Sequence, residues 1–74
     1  MQKRSLSIAG HPTSLALEPE FWDVLERIAR ERGLSLSALV AEVDESRDVP
    51  NLTSALRVAA LQWSLASHGN GPSS

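Results

Sequence analysis

From Ser5 the chain alternates, with Leu6 and Ile8 on one side and Ser5, Ser7 and Ala9 on the other. Gly10-His11-Pro12 interrupts this pattern, and alternation then resumes with Thr13, Leu15 and Leu17 against Ser14 and Ala16. A period of two marks a half-buried strand, so two short strands are predicted, joined by a turn that contains His11. Such strands are not stable alone in water; at least one needs a partner strand or a helical cover. Glu18-Pro19-Glu20 then opens a helix, since proline suits the first helical position and acids complement the helix dipole. Phe21, Trp22, Leu25, Ile28 and Ala29 recur at spacings of three and four, and Arg32-Gly33 supplies a basic last turn and a glycine stop. This predicts a helix over 19–32.

Gly33-Leu34-Ser35-Leu36-Ser37 reads as a tight connector, with Ser35 or Ser37 able to cap a second helix over about 37–47. Its apolar positions are Leu39, Val40 and Val43, its end is acidic, and Val49-Pro50 stops it. Asn51 caps a third helix over about 52–67. Leu52, Leu56, Ala59, Ala60 and Trp63 form one apolar stripe there, and Val58, Leu61 and Leu65 form another. Two stripes predict a helix covered on two sides. The chain thus divides into an N-terminal arm or strand (1–12), a main domain (13–67) and a disordered tail (68–74).

Composition adds a constraint of size. Seventy-four residues with no cysteine have neither disulfide nor zinc-thiolate to stabilise them. A domain this small buries only about 60% of its unfolded surface, so self-association is expected to complete the core. The net charge of −2 carries no nucleic-acid signature in itself, but its placement is uneven. Lys3 and Arg4 precede the first acid, Glu18, so a basic arm stands on an acidic body. No apolar run reaches the roughly 20 residues of a membrane span, and Ser5–Ala9 is too short and polar for a secretory signal, so a cytoplasmic location is expected.

Catalytic chemistry has little raw material. His11 and His68 have no second histidine or nucleophile at helical or strand spacing, and no set of three or four metal ligands clusters. Glu42, Asp44, Glu45 and Asp48 lack the glycine and spacing of a calcium loop and read as a solvated face. No enzyme activity, cofactor or small-molecule substrate is expected. Trp22 and Trp63 lie in apolar stripes, which places them in a core or a dimer interface rather than on a nucleic-acid surface.

Thr13-Ser14-Leu15-Ala16-Leu17-Glu18, Phe21-Trp22-x-x-Leu25 and Arg32-Gly33-Leu34-Ser35-x-Ser37-Ala38-Leu39-Val40 occur here in one order. That string resembles the ribbon-helix-helix superfamily of MetJ, Arc and CopG repressors. With Lys3-Arg4-Ser5-Leu6-x-Ile8-x-Gly10-His11-x-Thr13-Ser14 and Asn51-Leu52-x-Ser54-Ala55-Leu56-Arg57, it is similar to a stand-alone bacterial family bearing a third helix. The resemblance covers about Lys3 to Trp63. It implies a mainly α ribbon-helix-helix homodimer with an N-terminal β-ribbon, in which one strand from each chain pairs antiparallel. The outer side chains of the ribbon would enter the DNA major groove, and the N-termini of the second helices would hold flanking phosphates. DNA-binding positions carried over are Lys3, Arg4, His11, Ser14, Ala16, Ser37 and Ala38. Dimer-interface positions are Leu15, Leu17, Trp22, Leu39, Val40 and Val43. Pro12, Ser14 and Ala16 on the outward face offer few base-edge partners, so phosphates should dominate any DNA affinity. The alternative is a dimeric protein-interaction module without DNA, which an exposed apolar groove beside the third helix would favour.

Overall fold

The computed structural model describes residues 1–46 and 50–69. Its first element is a hairpin of β1 (Gln2–Ile8) and β2 (His11–Leu17), antiparallel from Gln2↔Leu17 to Ile8↔His11. The turn is Ala9-Gly10, with φ of 52° and 83°. Two left-handed residues in a two-residue loop make a type I′ turn, whose twist matches that of the flanking strands. The turn therefore lies earlier than the Gly10-His11-Pro12 break suggested, and His11 is the first residue of β2. A two-residue hairpin closes on a hydrogen-bonded pair, here Ile8–His11, and the pattern alternates from there. Pro12 falls opposite Ser7 at a position where the hairpin asks for no N–H, so β2 accommodates it.

Within the chain the two strands pair with each other. One hairpin face carries Gln2, Arg4, Leu6, Ile8, Thr13, Leu15 and Leu17 towards the helices, with Ile8, Leu15 and Leu17 buried. The other face carries Lys3, Ser5, Ser7, Pro12, Ser14 and Ala16.

Helix α1 (Pro19–Arg32) begins after Glu18 and ends at Gly33, whose φ of 69° is the left-handed conformation of a helix C-cap. The Gly33 N–H donates to the Arg30 carbonyl and the Leu34 N–H to the Ala29 carbonyl at 2.8 Å, closing a Schellman motif. Helix α2 (Leu36–Ser46) starts one residue earlier than expected. The expected end near residue 47, with Asp48 and the Val49 stop after it, lies outside the described residues. Helix α3 (Leu52–Gly69) is capped by Asn51, whose Oδ1 accepts the Ser54 N–H at 3.2 Å. It runs past the expected end, so the His68 backbone is helical; residues 70–74 of the expected tail lie outside the described residues.

Leu17, Trp22, Leu25, Val40 and Leu56 are the largest fully buried side chains, drawn from β2 and all three helices. The core therefore closes within one chain. Leu15, Leu17, Trp22, Leu39 and Val40, assigned above to a dimer interface, are buried in it, and Val43 packs at its margin.

Candidate nucleic-acid interface

Strand alternation turns every second hairpin residue away from the helices. On that outer face Lys3 lies opposite Ala16, Ser5 opposite Ser14, and Ser7 opposite Pro12. All except the half-buried Ala16 are exposed, and the Ser5 and Ser14 hydroxyls stand 3.3 Å apart. The result is a solvent-facing surface of one ammonium and three hydroxyls, with no acid on it.

Arg4 was expected beside Lys3 as a second phosphate contact. Its odd step along β1 sends it to the helix-facing side, where it pairs with Glu26 of α1 and lies 5.0 Å from the Trp22 ring centre. The guanidinium in turn holds the Glu26 carboxyl below its usual range, through the hydrogen bond first and then its charge. Trp22 Nε1–H donates to the Gln2 carbonyl at 2.8 Å, so its indole proton is satisfied in the core. His11 is exposed at the hairpin tip, on the face opposite to Ser14 and Ala16.

At the start of α2, Ser35 is the cap: its Oγ accepts the Ala38 N–H at 3.0 Å and its carbonyl accepts the Leu39 N–H at 3.0 Å. The Ala38 N–H is therefore already engaged, and the first-turn donors without an intrahelical partner are those of Leu36 and Ser37. Among the described residues no group of three or more His, Cys, Asp or Glu is placed to hold a metal. No helix among them is long and apolar enough to cross a membrane.

A ribbon-helix-helix domain model matches residues 1–64. The chain belongs to the ribbon-helix-helix family. Ribbon-helix-helix domains are generally non-enzymatic folds that form dimers and bind DNA in transcription regulators. A solved structure of an uncharacterized protein from Bordetella pertussis Tohama I is similar, with a TM-score of 0.75 and 39% sequence identity. The similarity covers 96% of this chain and 62% of that one, so this ribbon-helix-helix chain spans about three fifths of its neighbour's length. No curated protein matched.

Ser5 and Ser7 share the outer face of this ribbon and were not singled out from sequence. Their signal was present, since they alternate with Leu6 and Ile8, but only the β1–β2 register makes them neighbours of Ser14 and Pro12.

Proposed function

We propose that the chain is a homodimeric, cytoplasmic DNA-binding transcriptional regulator whose ribbon enters the major groove by its outer face. The observation that carries this reading is that face: an uncovered strand surface bearing Lys3, Ser5, Ser7 and Ser14 in a chain of the ribbon-helix-helix family. Hydroxyls accept or donate to base edges and phosphates, and an ammonium neutralises a phosphate. The Leu36 and Ser37 N–H groups at the positive end of α2 are suited to flanking phosphates. Arg4, tied to Glu26 and Trp22, supports the hairpin, which leaves Lys3 as the basic contact of the ribbon.

Anisotropy titration of random duplex DNA over a range of salt tests this. Affinity should fall steeply with salt, and Lys3→Ala should flatten the logarithmic slope by about two per dimer, one phosphate per chain. Arg4→Ala should leave that slope nearly unchanged. Absence of duplex binding at about 50 mM salt, where electrostatic contacts are strong, removes the reading.

One observation favours a protein-interaction module instead. An open groove of about 310 Å³ lies between the helices, lined by Leu25, Ile28, Leu39, Val43, Ala59 and Trp63, with the Arg32–Glu42 ion pair at its edge. On the opposite side of α3, Val58, Leu61 and Leu65 are 50%, 55% and 62% exposed. If DNA binding fails, these surfaces carry the function.

A further inference from the structure

The second apolar stripe of α3 is left without a cover by the fold. Val58, Leu61 and Leu65 are 50%, 55% and 62% exposed, while Leu56 and Ala60 on the other side of the helix are in the core. With the exposed Ser54 the stripe runs at spacings of four, three and four, so it keeps close to one line down the helix. An exposed helical face ordinarily carries charge. Here Arg57 is the only Asp, Glu, Lys or Arg between residues 52 and 69, and its guanidinium is bound to both carboxylate oxygens of Glu18. The outer face of α3 is thus a straight, uncharged and mainly apolar seam about three turns long.

We propose that this seam pairs antiparallel with the same seam of α3 in a second copy. The pairing goes beyond the DNA-binding reading and does not depend on it. Charge decides the kind of occupant. A polyanion or a layer of lipid headgroups would need cations along the face, and the one cation of the helix is committed to Glu18. A foreign helix is selected by charges that flank such a seam, and the flanking Gln62 and Ser64 carry none. The seam does match itself. A two-fold axis between Val58 and Leu61 sets Leu61 against Val58 of the other copy and Leu65 against Ser54, so each leucine meets a smaller side chain. The same axis runs the two helix dipoles in opposite directions, which is the favourable arrangement.

Area sets the strength of the contact. About half of three aliphatic side chains from each copy falls short of the roughly 1,200–2,000 Å² that stable complexes bury. The pairing is therefore reversible and appears as copies are concentrated. The isolated chain keeps the face open, because its core is closed without it. Since the seam lies on the side of α3 away from that core, it is free to join copies already held near one another, where a weak contact gains from the high local concentration.

Leu61 is exposed, so Leu61→Glu should leave the fold intact, which circular dichroism checks. Sedimentation equilibrium over a range of concentration should show wild type assembling to a larger mass than the variant. The midpoint of assembly should move by at least about tenfold, because a carboxylate would enter the seam unpaired. Equal masses at every concentration overturn the proposal. Cysteine, which the chain lacks, reads the orientation. Packed helices about 8–10 Å between axes bring facing Cα atoms within disulfide reach. Residue 54 then faces residue 65 of the other copy, whereas the two copies of residue 54 lie about 16 Å apart along the axis at about 1.5 Å per residue. Mild oxidation should crosslink a mixture of Ser54→Cys and Leu65→Cys to twice 8.0 kDa and leave each variant alone uncrosslinked. Crosslinking of Ser54→Cys alone as fast as the mixture overturns the proposal, as does a mixture that stays uncrosslinked at concentrations where wild type assembles.

Discussion

Ala9 occupies a conformation that suits it poorly. Its φ of 52° is left-handed, which brings Cβ close to the following carbonyl at a cost of roughly 1–2 kcal/mol for an ordinary L-residue. Gly10 beside it has no such cost. The chain tolerates Ala9 because seven cross-strand pairs and a buried hairpin face hold the turn. Asparagine enters the left-handed region more readily, and Asn-Gly is the favoured type I′ pair. Ala9→Asn should therefore stabilise the fold by about 0.5–1 kcal/mol, seen as a higher midpoint in thermal or urea melts. Ala9→Val should lower it. Equal melting of the three proteins would mean that the turn is not held in this conformation.

Between elements, two ion pairs join segments that are distant in sequence. Arg57 of α3 donates to both carboxylate oxygens of Glu18, at 3.0 and 3.2 Å, just ahead of α1. Arg4 of β1 donates to Glu26 of α1. In each case the arginine hydrogen bond is the main cause that lowers the carboxyl pKa in the folded chain. A group depressed on folding stabilises fully above its unfolded value and loses that contribution as pH falls through the folded one. Stability should therefore be flat near neutrality and decline from about pH 4.5 downwards, with Glu18→Gln and Glu26→Gln each declining less over the same range. Melting temperatures from pH 7 to pH 3 check this; identical acid profiles for wild type and both variants would show that neither pair contributes. The pairs are half-buried and still in contact with solvent, so their contribution should also fall with added salt.

At the scale of the whole molecule, α3 has two unlike sides. Its inner stripe closes the core, with Leu56 fully buried and Ala60 almost so; its outer stripe, Val58, Leu61 and Leu65, faces solvent. Leu56→Ala should cost about 2–5 kcal/mol because the cavity it leaves is walled by β2, α1 and α2. Leu61→Ala should stay within about 0.5 kcal/mol in the isolated chain, as for a surface change. Chemical denaturation of the two variants decides between the faces. A large loss from Leu61→Ala would reveal that the outer stripe is covered in solution by a second copy.

Periodicity was enough to read the elements. The period-two runs around Leu6 and Leu15, the three-and-four spacing from Phe21 to Ala29, and the Pro19 and Gly33 signals are local, and local sterics and capping set the strands and helices they mark. The outward placement of Ser14 and Ala16 followed from the same alternation. What local pattern could not supply was the pairing. The β1–β2 register depends on which backbone groups meet across the turn, and it moved the turn to Ala9-Gly10, brought Ser5 and Ser7 beside Ser14, and sent Arg4 to Glu26 and Trp22. Likewise a stripe such as Leu15, Leu17, Leu39 and Val40 states that a side chain must be buried, but not by which chain. Here α3 and the hairpin fold over it within one chain, because hydrophobic burial has no direction and takes the nearest apolar surface.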